Sequence, residues 1–392
     1  MMRPIQAQTF TVLHNFSGGM DGAAPDTGLT IDRSRNLYGT AFVGSAGYGT
    51  IFKLTYKNSG WLFSPLYSFQ GFNDGANPDS RVSIGPNGTL YGTTEHGGVN
   101  GYGTVFNLRP PQTVCRTVLC PWTKTVLYAF TGGTDSFTPQ GDLTFDQSDN
   151  LYGTAYGYQI AGKEDLGGYD AGSVYELVHS NGGWTINVLY GFTGFNDGSN
   201  PEGGVIFDQA GNLYGTATYG GAHGEGTVFQ LTHSGSGWTE QTLQSFSYPG
   251  GFLPQAGLLS DQAGNMYGAT FAGGNKGGGT VFELTPSNGG WAFTTIYELP
   301  GSGTGPLSTL AIDSEGNLYG TSYNGGQHQN GSVFKLTQSN GVWTYIDLYD
   351  FTGGSDGSWP FGSVAVDTNG TLYGTASSGG AYGDGVVWEI AP

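Results

Sequence analysis

The sequence predicts an all-β protein, a seven-bladed β-propeller in which each blade is a four-stranded antiparallel sheet. Three observations predict it. A stretch of the form Leu-Tyr-Gly-Thr recurs seven times, with its tyrosines at Tyr38, Tyr91, Tyr152, Tyr214, Tyr267, Tyr319 and Tyr373, and a period of roughly 50 to 60 residues marks a repeat architecture. Between the copies, apolar and polar residues alternate in short runs rich in Val, Ile, Tyr, Phe and Thr, with no helical periodicity of useful length. The chain opens on the last strand of one unit, Phe10 to Phe16, and closes on the third strand of another, Gly385 to Ile390, so the two termini together complete a seventh blade.

Within a unit the elements follow a fixed order. An apolar strand that mostly closes on aspartate comes first, as in Gly28-Leu29-Thr30-Ile31-Asp32, and the Leu-Tyr-Gly-Thr strand follows it. The third strand is Gly-Thr-Val-Phe, opened by Gly49, Gly103, Gly172, Gly226, Gly279, Gly331 and Gly385, and the fourth ends in Tyr-x-Phe, as in Val188 to Phe192. Spacing supports the scheme: Phe16 to Tyr38, Phe69 to Tyr91, Phe130 to Tyr152, Phe192 to Tyr214 and Phe351 to Tyr373 are each 22 residues. Two surpluses, near 109–122 and 155–171, read as loop insertions within one domain spanning 1–392. Trp61, Trp122, Trp184, Trp238, Trp291 and Trp343 each stand eight residues before the closing residue of the fourth strand, with Gln8 at the matching N-terminal place. One tryptophan per blade at one register position reads as packing between or over blades rather than as a sugar-stacking ladder. Closing four-stranded units into a ring removes exposed sheet edges, which a solenoid would have to cap.

The residues that complete this pattern carry a resemblance. Asp-x-x-Gly-Asn-Leu-Tyr-Gly-Thr, a Gly-Gly loop, Gly-Thr-Val-Phe-x-Leu, a Leu-Tyr-x-Phe strand and Asp-Gly-x-x-Pro together resemble the GloVer tandem repeat of the choice-of-anchor bacterial surface proteins, over essentially the whole chain. The resemblance implies an exported protein, often tethered by a C-terminal sorting segment, with no established biochemical activity. Pro392 follows the last strand directly, so no such tether is expected here.

Composition bounds the function. The 392 residues include 30 acidic and 12 basic side chains, a net charge of -18 that repels a phosphate backbone, so no nucleic-acid partner is expected. Aromatic residues at 14 % exclude a disordered chain despite 73 glycines. No apolar run reaches the roughly 18 residues that a membrane helix needs, and no membrane insertion is expected. Met1 to Gln8 lacks the apolar core of a signal peptide, and Gln6-Ala7-Gln8 before the first strand is read as the remnant of a processed one. The expected location is extracellular or at the cell surface. Cys115 and Cys120 fall in the first insertion, where a short disulfide in an exported protein is the expected state and two unpaired thiols are the alternative.

Chemistry is sought on the face that carries the long loops, those joining strands two and three and those passing between blades. The between-blade loops carry Asp21, Asp74, Asp135, Asp197 and Asp356, each followed by a proline: Pro25, Pro78, Pro139, Pro201 and Pro360. Turns held by aspartate and glycine account for them, and the sharper reading is a carboxylate ring that binds Ca²⁺ or glycan hydroxyls. The loops after strand two hold His96, His223 and His328 with Tyr102, Tyr219, Tyr323 and Tyr382. Aromatic faces beside acids and amides suit sugar recognition, whereas three histidines from non-adjacent blades make a poor metal site. The second insertion contains Tyr158 as a further ligand-binding candidate, and Lys163 with Glu164 or Asp165 as the one asymmetric acid and base. No catalytic residue is assigned, since no Gly-x-Ser-x-Gly or HExxH motif occurs. The reading is a surface-exposed binding or scaffold module for an extracellular glycan. The alternatives are a polysaccharide lyase or hydrolase working on the long-loop face and a purely structural surface protein.

Overall fold

A computed structural model describes residues 8–58, 60–111, 121–157, 171–180, 183–235, 237–301 and 305–392. Cys115, Cys120, Tyr158, Lys163, Glu164 and Asp165 lie outside the described residues. The chain forms seven four-stranded antiparallel sheets arranged as a propeller, as the repeat predicts. Blade one consists of Thr30–Ile31, Leu37–Ala41, Thr50–Lys57 and Gly60–Ser68, from the axis outward. Blade seven joins Ala365–Val366, Leu372–Ala376 and Val386–Ala391 to the N-terminal Thr9–Asn15, which pairs antiparallel with Val386–Ala391.

Two strands are shorter than their sequence pattern. The innermost strand pairs over only two residues, and in several blades glycines beside it bring neighbouring blades together backbone to backbone. A Cβ on Gly203 would stand 2.5 Å from the Gly257 nitrogen, and one on Gly204 would stand 2.3 Å from the Asp142 carbonyl oxygen. The outer strand stops before its closing phenylalanine. Phe16, Phe69, Phe130 and Phe351 turn inward with 0 % exposure. Each donates its backbone N–H, at 3.0 Å, to the carbonyl of the glycine that opens the third strand of its own blade.

The Leu-Tyr-Gly-Thr strand holds neighbouring blades together with three of its residues. Its leucine lies in the core, 0 % exposed at Leu37, Leu90, Leu151, Leu213 and Leu318. Its tyrosine receives the tryptophan of the next blade: Trp122 on Tyr38, Trp184 on Tyr91, Trp291 on Tyr214, Trp343 on Tyr267 and, across the closure, Trp61 on Tyr373, with centroids 5.4 to 6.5 Å apart and rings edge to face. Its threonine reaches a carbonyl of the next blade, as Thr216 Oγ1 does to Ala256 at 2.8 Å and Thr375 Oγ1 to Thr27 at 2.8 Å. The glycine makes room for a ring. A Cβ on Gly215 would lie 2.6 Å from Phe229 Cζ, and one on Gly374 would lie 2.2 Å from Trp388 Cζ2.

Candidate functional site

The aspartates of the between-blade loops are placed by the loops that contain them. Asp197 accepts the Thr193 backbone N–H at 2.8 Å, the Thr193 hydroxyl at 2.6 Å and the Tyr190 hydroxyl at 2.9 Å. Asp135 and Asp356 repeat this with Thr131 and Tyr128 and with Thr352 and Tyr349. Asp21 uses Ser17 with His14 at 3.2 Å, and Asp74 uses Gln70, Tyr67 and Lys124, whose Nζ lies 3.0 Å away. Burial raises the carboxyls of Asp21 and Asp356, and the hydrogen bonds from Ser17 and Thr352 outweigh it, holding both below the usual range. These carboxylates point into their own turns and not toward one another. Among the described residues no three His, Cys, Asp or Glu side chains stand where one metal ion could be shared.

The loop aromatics and histidines are spread around the rim. His96, His223 and His328 are exposed, and His96 Nδ1 lies 3.6 Å from Glu95. Tyr102, 43 % exposed, packs against Phe137, while Tyr219 and Tyr382 are exposed singly. Tyr323 alone of this set leans inward, its ring 4.4 Å from that of Phe361.

Phe361 belongs to a set that the sequence reading passed over. After the proline of each between-blade loop the next residue is Asp26, Asp79, Gln140, Glu202, Gln255, Leu307 or Phe361. All seven line one cavity of about 410 Å³. Equivalent residues from every blade can meet only on the propeller axis, so this cavity is the mouth of the central channel on the long-loop face. The proline sets the position: in blade two Pro78 Cδ would lie 2.2 Å from a Cβ on Gly49, so the loop seats its proline on the third-strand glycine of the preceding blade. That glycine, at φ +99°, is in a conformation that other residues rarely adopt. The residue after the proline is thereby delivered to the axis.

The lining is asymmetric. Blades one to five supply acids and amides, and blades six and seven supply Leu307 and Phe361. Two residues that follow strand two, Phe42 and Glu95, join it. Burial pushes the carboxyls of Asp26 and Glu202 up to about 7, in Glu202 against hydrogen bonds from Thr218 and Gln255. Asp79 keeps a side open to the cavity but is crowded by protein atoms. Burial raises it well above the carboxylate range, and the charges of Glu95, Asp26, Glu202 and Asp142 add to this. Burial raises Glu95 as well. Arg81 is the one cation among the described residues of the lining, and it pairs with Asp142 through Nη2 at 3.0 Å. A cavity of this volume, with one polar and one apolar wall, falls in the range of about 300 to 1,000 Å³ usual for small-molecule sites.

Three overlapping matches to one family model, at 2–163, 113–298 and 235–392, cover the chain from residue 2 to its end. This protein belongs to the Gloeobacter/Verrucomicrobia repeat family. No curated protein matches the sequence. Among solved structures the repeat protein is similar to the extracellular domain of a putative one-component system from B. thetaiotaomicron, with TM-score 0.58 and 12 % identity over 97 % of this chain and 40 % of that one. It is also similar to an ancestral GH74 enzyme, with TM-score 0.58 and 14 % identity over 93 % and 48 %. A polysaccharide lyase, Uly1, gives TM-score 0.50 and 12 % identity over 93 % and 89 %. The chain thus spans less than half the length of the first two, and at these identities the likeness is one of fold.

Proposed function

We propose that this propeller is an extracellular glycan-binding module whose ligand enters the axial cavity from the long-loop face. The observation that carries the reading is the division of the cavity wall. Asp26, Asp79, Gln140, Glu202 and Gln255 offer acceptors and donors to hydroxyls, while Phe42, Leu307 and Phe361 offer a surface to the C–H face of a sugar ring. Tyr323 extends that apolar wall toward the rim. An extracellular domain, a glycoside hydrolase and a polysaccharide lyase among proteins of similar fold support an exported, glycan-related role. No helix among the described residues is long and apolar enough to cross a membrane. A glycan array followed by calorimetry tests the reading. Phe361→Ala is expected to weaken the selected glycan about tenfold, since stacking on an aromatic is worth roughly 1 kcal/mol beyond its area. An array without hits, or a variant that binds as tightly as the parent, would sink it.

A second reading is a polysaccharide-active enzyme. It is favoured by Asp26 and Glu202, two carboxyls on one cavity that burial lifts to about 7, as a general acid requires. New reducing or unsaturated ends after incubation with the bound glycan would establish it, and recovery of the intact glycan would exclude it.

A further inference from the structure

The axial cavity holds more carboxyl groups than its described residues match with cations. Its titratable lining is Asp26, Asp79, Arg81, Glu95, Asp142 and Glu202. Arg81 is already committed: its guanidinium faces Asp142, and its backbone N–H donates to the other oxygen of that carboxylate at 2.9 Å. Among the described residues Asp26, Asp79 and Glu202 remain without a cation, and Glu95 has only His96 beside it, at 3.6 Å. Glu202 accepts the Thr218 hydroxyl at 3.0 Å, but Asp26 and Asp79 have no hydrogen-bond partner among the described residues. Across the cavity Ser308, next to Leu307, has its Oγ buried without a hydrogen-bond partner among the described residues. Buried polar groups are paired as a rule, and unpaired ones mark where a partner is to come from outside.

A proton, a metal ion or an organic cation can serve such carboxyls. A metal needs several ligands converging at about 2.0 to 2.6 Å, and no three acidic or histidine side chains among the described residues do so. An ammonium group asks less of the geometry, because its three donors can reach separate acceptors at hydrogen-bond length. Phe42 and Phe361 stand on the same cavity and suit both a cation and the C–H face of a ring.

Building on the glycan reading above, we propose that the cavity is selective for an amine-bearing sugar, its ammonium group held among Asp26, Asp79 and Glu202 and its ring against Phe42 and Phe361. A uronic sugar would bring a further carboxylate to carboxyls that have no cation to spare among the described residues. A neutral sugar would hydrogen-bond them but supply no charge to favour their ionised form.

Calorimetry at pH 7 with short oligosaccharides of glucosamine, N-acetylglucosamine, glucose and galacturonic acid tests this, since acetylation removes the charge from the same ring. The glucosamine oligomer should bind at least tenfold more tightly than the acetylated and neutral ones, and the uronic one should not bind. Lowering the pH to 5 should weaken the glucosamine oligomer, as the cavity carboxyls take up protons; Glu95 is the one next to a histidine, His96. Asp79→Asn and Glu202→Gln should each cost that ligand tenfold or more while the melting temperature stays level or rises, which separates lost recognition from lost folding. Equal or tighter binding of the neutral or uronic oligomer overturns the amine selectivity and leaves the glycan reading standing. If none of the four binds and the glycan array is blank, both fall.

Discussion

Asp208 and Gly215 show how single residues of the repeat hold a blade. Asp208 accepts the backbone N–H groups of Ala210 at 2.8 Å and Asn212 at 2.9 Å, the Asn212 amide at 2.8 Å and the Tyr214 hydroxyl at 2.9 Å. The turn was legible in the sequence, because a short carboxylate before Gly-Asn is the usual device for one. The tyrosine bond was not, since it joins the turn to the strand beyond it. Asp208→Ala is expected to cost about 1 to 3 kcal/mol by leaving these donors unmet, a loss that denaturant titration would measure. Blade two tests the same logic without the aspartate: a Cβ on Gly85 would meet Tyr91 Cε2 at 2.6 Å and Phe145 Cζ at 2.9 Å, so rings crowd the place of the carboxylate. Gly215→Ala should destabilise by about 1 to 3 kcal/mol through its collision with Phe229, although alanine is otherwise the better strand residue. A melting temperature equal to the parent's would refute the role assigned to that glycine.

At the scale of the element, the tryptophan strand is what couples one blade to the next. Its regular place in the sequence predicted packing, and the structure specifies the partner, the tyrosine of the preceding blade. The N-terminal strand is the exception. Gln8 replaces the indole, and a cavity of about 530 Å³ lies beside Tyr319, bordered by Gln8, Lys335 and Asp367. Lys335 stands over the Tyr319 ring at 5.3 Å, as Lys53 stands over Tyr38 at 5.1 Å in a blade that also has its tryptophan, so the lysine is compatible with an indole. Gln8→Trp is therefore expected to raise the melting temperature, by about 1 °C if the new contact contributes about 1 kcal/mol. An unchanged transition would mean that the place is already filled.

At the scale of the whole molecule, the ring converts seven dispersed residues into one site and gives the protein an unusual pH dependence. Asp26 and Glu202 have ordinary values of 3.8 and 4.5 and stand near 7 when folded. The folded state therefore binds protons that the unfolded state has released, and stability falls as pH rises from about 4 through 7. Asp32, Asp208 and Asp313 act oppositely: burial raises them, the hydrogen bonds of their turns more than offset it, and stability is lost as pH falls below about 4. Thermal melts should peak near pH 4 and decline toward pH 8. A profile that rises steadily to pH 8 would contradict the burial of these carboxyls.

The sequence by itself determined the repeat, the order of strands, the closure of the ring through both termini and the structural use of tyrosine and tryptophan. Those properties follow from local period and from residues that recur in register. It did not single out Asp26, Asp79, Glu202 or Phe361, which appear in the sequence as unremarked neighbours of prolines in four separate units. The available signal was variation, since the residue after the proline changes from blade to blade in a repeat that is otherwise uniform. Only the tertiary structure decided that these positions face one another, because a meeting between residues so far apart in the chain exists only once all seven blades have closed around the axis.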